Sequence, residues 1–364
     1  MNLFACTHCG HLLYFENNRC EKCHYPLGFE AERLQLLPLE KKSESTYTLY
    51  GEPDSLTYTY CANHARNVCN WLVPTPSGTP FCRACSLNHT IPDLSKPEYV
   101  ARWRTIEEAK HRLVYTLLYM KLPLMSKAED QEKGLMFDFV ADESKNGGEK
   151  VLTGHADGLI TLNIAEADDI EREMARKAMD ELYRTVLGHF RHEVGHYYWD
   201  RLIADSAYLP EYRRLFGDER ADYGEALQKH YDQGPPADWR DHYISSYATM
   251  HSWEDWAETW AHYLHLLDTL QTAHAFGLRV APGVASPAAH LSAEIRNPYQ
   301  LQDFGQVISM WLPLTFAMNS LNRSMGLHDP YPFVIRPEVQ EKLAFIHRVC
   351  QETAAKTVEA ASVG

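Results

Sequence analysis

Cysteine placement constrains this chain more than any other feature. Eight of its nine cysteines fall at 6, 9, 20, 23, 61, 69, 82 and 85, and the ninth is Cys350. Chance supplies about 0.2 Cys-x-x-Cys pairs at this cysteine content, whereas three occur: Cys6/Cys9, Cys20/Cys23 and Cys82/Cys85. Thiolates two residues apart can both reach one tetrahedral ion at about 2.3 Å. Segments this short cannot bury enough apolar surface to fold alone, so bound metal must supply the energy. The economical ion is Zn2+.

The first set, Cys6-x2-Cys9-x10-Cys20-x2-Cys23, predicts a closed structural zinc site in a ribbon over residues 1–40. Gly10 and Pro26-Leu27-Gly28 follow its two knuckles and suit tight turns that aim N–H groups at sulfur. A redox dithiol would instead open a helix in a βαβ setting, which is absent. The second set, Cys61, Cys69, Cys82 and Cys85, predicts another structural zinc in a module over residues 41–95. His64 competes with Cys69 because it stands at knuckle spacing from Cys61; four thiolates, a common closed set, favour Cys69. Closed sites have no open coordination position, so both modules read as scaffold or protein-docking surfaces. Cys350, in a helical pattern, reads as a small buried apolar residue.

Charge and apolar content exclude other classes. With 35 basic and 49 acidic side chains the net charge is -14, which repels phosphate backbones, so nucleic acid is not an expected partner. No run approaches the ~18 apolar residues of a membrane span, and the first residues show neither a basic nor an apolar targeting region, so the expected location is cytoplasmic.

From residue 96 the cysteines stop and long helical patterns begin, which predicts an α+β, mostly helical domain over 96–364. The patterns give a helix from Tyr99 to Met120, strands at Leu135–Val140 and Leu159–Ile164, one helical stretch over 170–203, and a frayed tail after Ala354. Inside the long stretch lies Phe190-Arg191-His192-Glu193-Val194-Gly195-His196. Residues four apart on a helix differ by only ~40°, so His192 and His196 can grip one ion while Glu193, ~100° round, takes a proton from a water beside it. Gly195 is expected to leave room there. A third histidine six residues on is missing, since that position holds Leu202, so the third ligand must come from elsewhere. Glu254 and Glu258, i and i+4 on a helical segment, fit as ligand and as hydrogen-bond partner of a ligand histidine; Glu219, Asp222 and Glu225 compete.

These strings resemble a family of bacterial zinc-binding metallopeptidases that carry an N-terminal zinc ribbon. The resemblance covers Cys6-Thr-His-Cys9, Cys82-Arg-Ala-Cys85, Gly188-His-Phe-Arg-His-Glu-Val-Gly-His196 and Glu254-Asp-Trp-Ala-Glu258. It implies a zincin-like, gluzincin-type hydrolase that cleaves peptide bonds in a peptide or protein substrate. The second helix also resembles that of lethal-factor-type metallopeptidases, in which a tyrosine two turns before the ligand glutamate stabilises the oxyanion. Tyr247 holds that position, with Tyr243 and His251 as alternatives. By analogy with zincins, strand Leu159–Ile164 would be an exposed edge that pairs with extended substrate. The rival reading is a zinc-ribbon adaptor whose peptidase-like domain is catalytically silent.

Overall fold

The computed structural model describes residues 2–54, 56–142, 153–178, 184–283 and 291–363, without the side chains of 175–178 and 360–363. The chain forms two compact units, one of Met1–Tyr119 with Pro123–Arg172 and one of Met120–Leu122 with Glu173–Gly364.

Unit 1 opens with strands β1 (Phe4–Ala5) and β2 (Leu12–Leu13), paired across the first knuckle. An antiparallel meander follows, β3 (Leu27–Glu30), β4 (Gln35–Lys41), β5 (Tyr47–Leu49), β6 (Tyr58–Tyr60) and β7 (Leu72–Pro74). The expected division of the cysteine modules at residue 40 passes through β4, so one sheet carries both. Gly28 lies inside β3 against Leu72 and not in a turn. The tight turns fall on Gly10, as expected, and on His24, each left-handed, each donating its N–H to the carbonyl of the first cysteine of its knuckle (2.8 and 2.9 Å).

After β8 (Asn88–Thr90) comes α1 (Pro97–Tyr119), with Pro97 at its first position, where a missing N–H costs nothing. Its Trp103, Ile106, Leu113, Val114 and Leu117 are buried. Phe15, Phe29 and Trp71 join Tyr115 of this helix in an aromatic core, Phe29 and Trp71 with centroids 4.5 Å apart. Thus α1 packs with the cysteine modules although composition changes at residue 96. Strands β9 (Met136–Val140), β10 (Gly154–Ala156) and β11 (Leu159–Asn163) complete a mixed sheet in the order β10-β11-β9-β8. Strand β11 is therefore central, paired on both sides, and cannot receive an added strand as expected.

The expected single helix over 170–203 is interrupted. It comprises α2 (Asp169–Ala178) and α3 (Val186–Leu202), and Thr185, in extended backbone, caps α3 by accepting the N–H of Gly188 at 2.9 Å. Unit 2 continues with α4 (Leu209–Phe216), α5 (Tyr223–Gln233), α6 (Trp239–His242), α7 (Ser252–Ala275), a short pair β12 (Arg279–Val280) and β13 (Ala293–Glu294), α8 (Phe304–Ser324) and α9 (Pro337–Val363). The tail expected to fray is helical through Val363. Helix α7 is the axis of this unit: Trp256, Trp260, Leu264, Leu267 and Leu270 are fully buried, and Lys342 of α9 reaches Asp255 at 2.6 Å in a dry ion pair. Burial pushes the Asp255 carboxyl up to about 7 even though Lys342 opposes it.

Helices α3 and α7 lie unusually close, and Gly195 is the reason. A Cβ there would stand 3.0 Å from the Ala257 Cα and 3.2 Å from the Trp260 Cβ, while Trp256 Nε1 donates to the Gly195 carbonyl at 2.8 Å. The glycine serves the helix contact and not, as expected from sequence, room at the ion. Gly195→Val should therefore destabilise unit 2 by about 1–3 kcal/mol, the usual cost of overpacking. Because ligands on both helices must meet, helix-site zinc should fall with it; thermal unfolding and metal analysis check both.

Candidate metal centres

Unit 1 brings its cysteines into two quartets, Cys6/Cys9/Cys20/Cys23 and Cys61/Cys69/Cys82/Cys85, the sulfurs of each within 4.8 Å of one another. Cys9 and Cys20 stand at 3.6 Å, Cys6 and Cys23 at 3.7 Å, and Cys69 and Cys82 at 3.7 Å. Disulfides need about 2.0 Å, whereas four sulfurs 2.3 Å from a central ion stand about 3.8 Å apart. The donor chemistry and spacing fit zinc. His64 is left outside the second quartet: its Nδ1 contacts the Cys69 carbonyl at 2.8 Å and its ring stacks on Tyr60 at 3.8 Å.

The second quartet has a buried polar lining that sequence reasoning missed. His111 Nε2 lies 3.6 Å from Cys85 Sγ, its Nδ1 2.6 Å from the Glu107 carbonyl, and Lys110 Nζ bonds Glu107 at 3.0 Å, all on α1. Burial opposes charge on His111, but Cys85 and Glu107 raise its pKa above the usual value; burial likewise opposes charge on Lys110, which Glu107 outweighs. Their i, i+3 and i+4 spacing was visible, but nothing local tied it to cysteines that precede it by some 25 residues.

In unit 2, α3 and α7 bring His192, His196 and Glu254 together, ligand atoms within 4.8 Å of one another and all buried. His192 Nε2 is 3.0 Å from Glu254 Oε2, and His196 Nε2 is 3.5 Å from Glu254 Oε1. His251 caps α7 by accepting the Trp253 N–H at 3.1 Å, so Glu254 sits in the first turn, where the helix dipole favours a carboxylate. Trp253 packs its ring on His196 at 3.8 Å. Behind His192, Glu258 Oε1 meets Nδ1 at 2.7 Å, and Ser245 Oγ donates to Glu258 Oε2 at 2.6 Å. The hydrogen bond expected of Glu258 is present; Ser245 had no sequence signal, being thirteen residues away.

Burial works against charge on His192, but Glu254 and Glu258 outweigh it and hold the imidazole well above its ordinary range. Burial would raise the Glu254 carboxyl, yet His196 and His192 hold it well below. Concentrated negative charge beside two imidazoles is what a divalent cation would neutralise. Two imidazoles and one carboxylate are three ligands, the set that leaves a fourth position open.

Glu193, 5% exposed, follows His192 on α3 and has its Oε1 3.6 Å from His189 Nε2. The Tyr247 ring is 6.2 Å from that of His192. Tyr223, which sequence reasoning passed over within a charged run, donates to Glu254 Oε1 at 2.9 Å. Burial raises both phenols well above their usual range, with Glu254 adding to it. The competing acids are engaged elsewhere: Glu219 pairs with Arg213, Asp222 caps α5 through the Glu225 N–H at 2.8 Å, and Glu225 is exposed. Tyr243 lies over Lys342.

A protein with two four-cysteine clusters and a separate two-histidine, one-carboxylate cluster is a metal-binding protein in class. Residues 99–349 match the family described as "Putative zinc-binding metallo-peptidase", and residues 3–96 match a zinc-ribbon domain. The chain belongs to this metallopeptidase family and carries its zinc ribbon at the N-terminal end. It is 44% identical to uncharacterized proteins of Mycobacterium tuberculosis and Mycobacterium bovis, over 97% of its own length and 96% of theirs. No solved structure matches it. Among the described residues no helix is long and apolar enough to cross a membrane.

Proposed function

We propose that the protein is a gluzincin-like zinc peptidase that hydrolyses amide bonds in a peptide or protein substrate. The observation that carries this reading is the convergence of His192, His196 and Glu254 from two helices, with Glu193 next to His192 on α3. A zinc ion held there would polarise the scissile carbonyl and lower the pKa of water towards ~7. Glu193 accepts the proton of the attacking water and delivers it to the leaving amine. Glu258, itself held by Ser245, fixes the His192 ring and the nitrogen it presents. The phenol of Tyr247 stays protonated and is the donor available to a developing oxyanion, a bond worth ~3 kcal/mol when well placed. The cysteine quartets are structural zinc sites, and the ribbon face a docking surface for protein.

Metal analysis of the purified protein should give three zinc ions per chain, one for each cysteine quartet and one for His192, His196 and Glu254. Glu254→Ala should reduce this to two, whereas Glu219→Ala and Asp222→Ala should leave three. Loss of the third ion in either of the latter, with retention in Glu254→Ala, would assign the third ligand elsewhere. Incubation with a pool of fluorogenic peptides tests the activity itself, and a zinc-loaded protein that cleaves none of them opposes the reading.

A further inference from the structure

We propose that Tyr223 is a positioning residue of the helix site, whose hydroxyl holds Glu254 so that one carboxylate oxygen alone faces the ion. The inference rests on the zinc reading above and adds a residue from a third helix. Asp222 accepts the Glu225 N–H at 2.8 Å and so fixes where α5 begins. The ring of Tyr223, first residue of that helix, lies 5.5 Å from His251 and 6.2 Å from Trp253, the residues around the start of α7. The start of α5 is thereby registered against the turn that carries Glu254.

The two oxygens of Glu254 have different surroundings. Oε1 accepts the Tyr223 hydroxyl at 2.9 Å and stands 3.5 Å from His196 Nε2, whereas Oε2 lies closer, 3.0 Å from His192 Nε2, and is buried without a hydrogen-bond donor of its own among the described residues. An oxygen that accepts a phenol proton is the weaker donor to a cation, so Oε2 is the ligand. Ligation through one oxygen matters chemically. With His192 and His196 it makes three ligand atoms and keeps the fourth position for water and substrate, whereas ligation through both oxygens would fill it. Tyr223 thus stands to Glu254 as Glu258 stands to His192.

The test uses the full chain with zinc retained in the cysteine sites and Co2+ titrated into the helix site, followed by its visible absorption. Tyr223→Phe should weaken Co2+ binding by about tenfold or more, the usual effect of losing a ligand's hydrogen-bond partner. Its visible bands should also weaken, because a second Glu254 oxygen raises the coordination number. In a Glu254→Ala background the same substitution should cost nothing further, since Tyr223 acts through that carboxylate. Phenylalanine keeps the ring that packs near His251 and Trp253, and the double variant keeps the comparison decisive where the melting temperature falls. Wild-type affinity and spectrum in Tyr223→Phe, or an equal loss with and without Glu254, would overturn the inference while leaving the zinc site standing. If the wild-type chain takes up no Co2+ at this site, or Glu254→Ala binds it unchanged, the zinc reading and the inference fall together.

Discussion

Glu193→Gln should keep zinc in the helix site and lower hydrolysis of any peptide substrate by a factor on the order of 10² or more, the range of general-base contributions. Glutamine has the same shape, so the buried packing of Glu193 on α3 survives, and the residue supplies none of the three clustered ligand atoms. What it lacks is a basic oxygen. No neighbour can stand in: Glu254 is taken by His192 and Tyr223, and Glu258 by His192 and Ser245. Metal analysis and rate measurement on one preparation separate the two effects. Full activity with zinc bound would remove the hydrolytic mechanism, and a cellular output indifferent to the substitution would favour the adaptor reading.

The parts of this site that were legible in the sequence are those whose geometry is local. His192, Glu193 and His196 share one helix, and so do Glu254 and Glu258; the helical period alone tells which side chains project together. That α3 and α7 meet could only be inferred from chemistry, and the contact explains why Gly195 was misread, since a residue with no side chain gives no sign of what lies against it. Tyr223 and Ser245 come from segments with no periodic relation to either helix. Likewise a short apolar run such as Leu159–Ile164 identifies a strand without telling edge from centre, because the neighbours that decide it, β9 and β10, are set by topology. The composition change at residue 96 coincides with the division between the two family matches. Packing places α1 with the cysteines all the same, because Glu107, Lys110 and His111 are buried beside the second quartet.

That arrangement makes the second large prediction specific: Cys85→Ser should unfold unit 1 and leave unit 2 folded. Structural zinc contributes roughly 10–16 kcal/mol to small domains at neutral pH, as much as or more than the 5–15 kcal/mol of net stability an ordinary domain possesses. Losing one of four thiolates forfeits most of this. The substitution also weakens the pairing of His111, which is nearly fully buried and loses the thiolate that faces it, while Glu107 is already engaged by Lys110. Unit 2 draws its stability from the tryptophan-rich packing around α7, to which no cysteine of the quartets contributes. Limited proteolysis should therefore degrade the chain up to about residue 172 and spare a fragment that retains the helix-site zinc. If the fragment is lost as well, the two units do not fold independently. If unit 1 survives intact with its zinc count reduced by one, the buried lining of α1, and not the ion, is what holds it together.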